Sequence, residues 1–158
     1  MGSLSLHSPV GDLTLFDEDG ALVALEWGWG SVQEPTPLLE KTKAFLHNYF
    51  DGQAADVMTL PMEPPGTPFQ RRVWQTLCEI PYGKTVTYGE IAARLGSHAR
   101  AIGTAVGANP IPILIPCHRV VGGDGALIGY SGEGGVQTKA FLLRLEGAAV
   151  TAQRQLPL

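Results

Sequence analysis

Four prolines fall within eight residues in the stretch PMEPPGTP, Pro61 to Pro68, near the middle of a 158-residue chain. Each proline fixes its backbone φ at about −65° and removes a donor, so neither a helix nor a central strand runs through such a stretch. The segment marks a joint. Residues 1–60 are expected to form one α/β domain and residues 69–158 another, with 61–68 as the proline-rich connection.

The two sides of the joint differ in pattern and in charge. In SLSLHSPVGDLTLFDEDGALVALEWG, apolar and polar residues alternate between turn signals at Ser8-Pro9-Val10-Gly11 and Asp17-Glu18-Asp19-Gly20, which predicts a meander of short antiparallel strands. LLEKTKAFLHNYFDG then sets Leu38, Leu39, Ala44, Phe45 and Tyr49 at roughly helical spacing with Gly52 as the stop, predicting one helix over a small sheet. Up to residue 66 two lysines face ten acids, a net −8, whereas nine bases face five acids in the remainder, a net +4. The overall −4 hides a basic half on which a polyanion could dock.

Beyond the joint the pattern turns helical. In FQRRVWQTLCEI, Phe69, Val73, Leu77 and Ile80 recur at helical spacing, and Trp74 with Cys78 widens the stripe, so Cys78 reads as a core residue. Thr87 and Glu90 stand three apart before an apolar run, the signature of a capping box, and Gly96 supplies a left-handed stop. Ser97 reads as the cap of the next helix, HARAIGTAVGA, which ends before Asn109-Pro110 because the residue preceding proline disfavours helix. Two short helices joined by a tight turn make a helix-turn-helix, so the expected fold class is α+β: a small antiparallel sheet with a helix, then a mainly helical, winged helix-turn-helix-like domain.

The second helix of that pair has an apolar side, Ala101, Ile102, Ala105 and Val106, and a nearly bare one, Arg100, Gly103, Thr104 and Gly107. Helices that read base edges usually carry Asn, Gln, Arg or Lys there. Each glycine costs a helix about 1 kcal/mol against alanine. Either an outside partner comes close to this backbone or a neighbouring element packs tightly on it, and the residues alone leave both open.

No run approaches the length of a membrane span, and the first residues lack the regions of a signal peptide, so a cytoplasmic location is expected. MGSLSL fits a myristoylation pattern only superficially, and the alternation around it reads as strand. Two cysteines, Cys78 and Cys117, do not make a disulfide framework, and both are expected to be free thiols. His7, His47, His98 and His118 show no ligand spacing with either, so no metal is expected.

Pro110, Pro112 and Pro116 rule out helix through NPIPILIPC, and Ile113, Leu114 and Ile115 form an apolar run suited to a buried extended segment from which Cys117 emerges. A histidine that accepts the thiol proton would raise the thiolate fraction. His118 is adjacent in sequence, but neighbouring side chains on an extended backbone point apart, so a turn or a bridging water is required.

The segment GTPFQRRVWQTLCEIPYGKTVTYGEIAARLG followed by NPIPILIPCHRVVGGDGALIGYSG resembles the O6-alkylguanine-DNA alkyltransferases, also called methylated-DNA–protein-cysteine methyltransferases, from about Gly66 to Gly147. The resemblance implies a monomer without cofactor that binds double-stranded DNA through the minor groove. It would flip an O6-alkylguanine and transfer the alkyl group once and irreversibly to its own cysteine, the sequence leaving open whether O4-alkylthymine is also accepted. By the same resemblance Cys117 is the acceptor, His118 the water-mediated base and Glu146 the acid that orients the histidine. Arg100 would intercalate, Gly103, Thr104 and Gly107 would allow close approach to the groove, and Tyr88 would displace the 3′ phosphate and donate to the guanine ring. Asn109 matches a structural hinge. Ser131, Tyr130, Val120 and Pro112 would line the substrate pocket. Arg119 reads as an ion-pair partner.

Three features depart from the family pattern. The turn LGSHARA is about two residues shorter than usual, GYSGEGGVQTK is about two longer, and the zinc ligands of some relatives have no counterpart. A DNA-binding regulator resting on the helix pair, or a cysteine hydrolase resting on Cys117 and His118, are the readings that compete.

Overall fold

Asp19 and Gly20 take positive φ values of 51° and 80°, the mirror-image turn that matches the twist of the strands it joins. Around this two-residue turn, β2 (Leu13–Glu18) and β3 (Ala21–Trp27) pair antiparallel, and β1 (Gly2–Leu6) adds on the other edge of β2, giving the order β1-β2-β3. The computed structural model describes residues 1–54, 56–125 and 135–148.

Contacts divide the chain into two units, residues 1–65 with 110–112, and residues 66–109 with 113–158. In the first unit, α1 (Pro37–Phe50) is capped by the Thr36 hydroxyl, which accepts from Leu39 N–H, and it packs on all three strands. Its inward stripe is Leu39, Thr42, Leu46 and Tyr49, whereas Ala44 is exposed and Leu38 and Phe45 are half-buried. Alternation along the strands sends Leu4, Leu6, Leu13, Leu15 and Leu25 into the core. The polar residues do not face water as alternation suggests. Ser3, Ser5 and Thr14 are buried and bonded to the loop after β3, where Gln33 Nε2 donates to Ser5 Oγ and Gly30 N–H to Thr14 Oγ1. Gly2 is a strand residue whose N–H donates to buried Asp17.

The proline-rich joint does more than connect. Leu22 N–H donates to Pro61 O and Glu63 N–H to Leu22 O, so Met62 forms a parallel bridge beside β3. At the other end Thr67 caps α2 (Pro68–Cys78) in a full capping box with Gln70, and Pro68 takes the first helical turn, where its missing N–H costs nothing. Pro110–Pro112 groups with the first unit, Pro110 O accepting from Leu25 N–H, so the range 69–158 is not one uninterrupted body.

The second unit is built from α2, the strand pair β4 (Val86–Thr87) and β5 (Val120–Val121), and helices α3 (Tyr88–Leu95), α4 (Ala99–Gly107) and α5 (Val136–Leu145). Thr87 and Glu90 form the expected capping box, and Gly96 ends α3 at φ 66°. The cap of α4 is His98, not Ser97: His98 Nδ1 accepts from Ala101 N–H, because the shortened turn spends Ser97 on closing α3 through Ala92 O. Trp74, almost fully buried, donates from Nε1 to Ala105 O and ties α2 to α4. Cys78 is half-buried at the end of α2 and is not a core residue. No described helix is long and apolar enough to cross a membrane.

Candidate active site

The site begins with a departure from the extended segment. Ile113–Ile115 are buried as expected, but Ile113 has φ 74°, and the chain turns there. A β-branched residue in the left-handed region is disfavoured by about 1–3 kcal/mol and persists only where its surroundings fix it. Cys117–Arg119 then form one 3-10 turn, and β5 follows at once, pairing parallel with β4. That register sets Val120 beside Val86 and Val121 beside Thr87, one residue before Tyr88 opens α3. Asn109, just past α4, donates from Nδ2 to Ile115 O at 2.9 Å, linking the end of that helix to the chain before the cysteine.

Cys117 is free and buried. Burial pushes its thiol above the usual range. The Asn109 side-chain amide, the Lys139 ammonium and the N–H groups of Cys117 and Ile113 pull the other way. His118 is fully buried, and its pKa is lowered by burial, with the Arg119 and Lys139 charges adding to that and Glu146 opposing it. The resting pair is therefore a neutral thiol beside a neutral imidazole.

Glu146 caps the C-terminal end of α5, where Gly147 at φ 78° turns the chain away. Its carboxylate takes four donors. Oε2 accepts from His118 Nε2 at 2.6 Å and from Arg119 Nη2 at 3.1 Å, and Oε1 accepts from Arg119 Nε at 2.8 Å and from Gly83 N–H at 3.1 Å. A carboxylate only accepts, so His118 carries its proton on Nε2, which leaves a lone pair on Nδ1. That Nδ1 atom is buried with no hydrogen-bond partner among the described residues. Arg119 is the expected ion-pair partner, and its Nη1 also donates to Ile80 O at 2.7 Å.

Lys139 was not legible in the sequence. It is fully buried on α5, with Nζ 5.8 Å from the centre of the Tyr88 ring. Burial lowers its pKa to about 8, and burial together with the Cys117 charge raises Tyr88 to about 12. No local feature of the sequence marks it, because its burial comes from tertiary packing.

On α4, Arg100, Thr104 and Gly107 are exposed and Gly103 is half-buried. A Cβ at Gly103 would sit 4.0 Å from Tyr88, and one at Gly107 would meet nothing within 4 Å, so packing within the chain requires neither glycine. Val120 is buried in β5. Pro112 belongs to the first unit, and Tyr130 and Ser131, with the GYSGEGG loop, lie outside the described residues. Among the described residues no group of three His, Cys, Asp or Glu could hold a metal ion.

The geometry defines a buried-cysteine site with a histidine–carboxylate–arginine cluster beside it, in a unit that also carries an exposed, small-residue helix. Residues 68–148 match the family model for the 6-O-methylguanine DNA methyltransferase DNA-binding domain. A methylated-DNA–protein-cysteine methyltransferase of Haemophilus influenzae is 39% identical over 150 residues, covering 88% of this chain and 82% of that protein. One from Methanosarcina barkeri is 42% identical over 151 residues, covering 89% and 94%. The crystal structure of Mycobacterium tuberculosis OGT in complex with DNA superimposes with a TM-score of 0.80 at 40% identity, over 93% of each chain. The chain belongs to the methylated-DNA–protein-cysteine methyltransferase family.

Proposed function

We propose that this protein is a DNA repair alkyltransferase that moves the alkyl group of O6-alkylguanine in double-stranded DNA onto its own Cys117, once per molecule, acting as a cytoplasmic monomer. The observation that carries the reading is the buried Cys117-His118 turn, with His118 held by Glu146 in the tautomer that can accept a proton. O4-alkylthymine presents the same kind of O-alkyl carbon and is included as a substrate.

Helices α3 and α4 form a winged helix-turn-helix-like unit with the β4–β5 pair beside it. Its exposed face enters the minor groove, where Gly103, Thr104 and Gly107 let the DNA approach and read no base edges. Arg100, exposed at the start of α4, fills the space left by the extruded nucleotide. Asn109 is the hinge between this helix and the cysteine turn, supported by its bond to Ile115 O.

In the reaction, His118 Nδ1 takes the Cys117 proton through a water molecule, and Glu146 stabilises the imidazolium. The sulfur attacks the alkyl carbon, the S–C bond forms, the C–O6 bond breaks, and its electron pair leaves with the guanine. Tyr88, kept protonated by burial, donates a hydrogen bond to the departing ring, which takes up a proton from solvent as His118 gives its own back. Lys139 stabilises the thiolate. The Val120 backbone faces the exocyclic amine of the guanine, and the family resemblance assigns Tyr130 and Ser131, which lie outside the described residues, to recognition of the same base. A thioether is not readily cleaved by water, so the protein is consumed as a stoichiometric reagent.

Incubation with a duplex carrying O6-methylguanine should add one methyl group to the intact mass, located on Cys117 by peptide mapping. Cys117→Ala should bind the duplex and remain unmodified. A parent protein that keeps its mass with excess lesion would overturn the reading.

A further inference from the structure

We propose that Arg119 is a positioning residue for alkyl transfer: it locks the Glu146 carboxylate in the one orientation that meets His118 and, by its charge, keeps the imidazole free to accept a proton. The proposal rests on the alkyl-acceptor reading for its rate measurement but not for its titration.

Three geometric facts carry it. First, Arg119 grips both oxygens of Glu146 through Nε and Nη2, and a planar fork on a planar carboxylate leaves that group no rotational freedom. Second, Arg119 is itself fixed, since Nη1 is bonded to Ile80 O and its guanidinium lies 5.8 Å from the centre of the Tyr82 ring. Third, the carboxylate is shared: Oε2 serves Arg119 and His118 at once. Any loosening of the fork is therefore felt at His118 Nε2 directly.

The charge follows the same geometry. The groups acting on the imidazole and its carboxylate are Arg119 from its own turn, Lys139 on α5 with Glu146 at its end, and Tyr82 with the Gly83 N–H from the turn after α2; Cys117 precedes His118 in the chain. An unopposed buried carboxylate at 2.6 Å would favour imidazolium at rest, and an imidazolium cannot take the thiol proton. Burial is the main cause of the lowered His118 pKa, and the Arg119 charge adds to it against the pull of Glu146. Removing the Arg119 charge must favour the protonated ring, because it removes repulsion and frees the attraction of Glu146.

The two contributions separate in two variants of the full chain, Arg119→Lys, which keeps the charge and loses the fork, and Arg119→Met, which loses both. Single-turnover transfer from O6-methylguanine duplex is followed against pH, and the ring nitrogens of His118 are titrated by nitrogen-15 NMR without DNA. For Arg119→Met, the acid limb of the rate profile and the His118 midpoint should move up together by about one pH unit. For Arg119→Lys, both should stay near the parent values while the plateau rate falls about tenfold. Should Arg119→Met fail to fold, the plateau of Arg119→Lys decides. A parent-like plateau in Arg119→Lys, or parent-like midpoints in Arg119→Met with only thermal stability reduced, would overturn the proposal. A parent that takes up no methyl group while its His118 midpoint still answers to Arg119 would instead overturn the alkyl-acceptor reading alone.

Discussion

Gly103 on α4 lies across from Tyr88 at the start of α3, and a Cβ at Gly103 would stand 4.0 Å from Cδ1 and Cε1 of that ring, an ordinary van der Waals distance. The fold thus tolerates a side chain where the sequence has none. Gly103→Ala should stabilise the helix by up to about 1 kcal/mol in urea unfolding. Gly103→Leu should lower affinity for duplex DNA at least tenfold in fluorescence anisotropy, because the added side chain meets the groove. Unchanged DNA affinity in Gly103→Leu would remove the minor-groove assignment of this face.

Lys139 should shape the pH dependence of transfer. It is charged below its pKa of about 8 and there stabilises the Cys117 thiolate; as pH rises through about 8 that help is withdrawn. The parent rate should level off above about pH 8, where a free thiol would keep gaining thiolate. Lys139→Met should be about tenfold slower near neutral pH and lack the levelling, as measured by quenched single-turnover reactions.

Stability should fall on the acid side through His118. Its native pKa is lowered from 6.5, so below pH 6.5 the unfolded chain binds a proton that the native chain refuses, and unfolding becomes easier as pH drops toward the native value. The slope is up to about 1.4 kcal/mol per pH unit for one proton. Urea midpoints measured downward from pH 7 should show this fall in the parent and a shallower one in His118→Asn.

The Trp74 pocket should tolerate no added volume. A Cβ at Gly66 would lie 2.5 Å from the Trp74 ring, and Trp74 cannot swing away without breaking its bond to Ala105 O. Gly66→Ala should cost about 1–3 kcal/mol. Trp74→Phe, which leaves the Ala105 carbonyl without that donor, should cost about 1–3 kcal/mol by the same unfolding measurement.

What was legible in the sequence was whatever rests on near neighbours. The Asp19-Gly20 hairpin, the Thr87–Glu90 box and the Gly96 stop are decided within four residues, and each stands where the spacing put it. The Thr67–Gln70 box was equally local but was hidden by the prolines around it, which also masked the Met62 bridge, since a bridge depends on a strand forty residues away. Ser97 and His98 were interchangeable caps until the length of the turn decided between them. For the site, the resemblance supplied Cys117, His118 and Glu146, of which His118 and Glu146 are joined by a hydrogen bond. Lys139 and the Ile113 turn could not be read, because a buried ammonium and a left-handed isoleucine contradict the preferences from which one reads. Both are held by tertiary surroundings that leave no local trace.

Ile113 stands where a glycine or an asparagine would sit at ease. Relaxing that residue ought to make the chain hardier while letting the sulfur wander. The molecule would then last longer in the tube and answer damage less promptly, a trade that a protein used only once has no occasion to make.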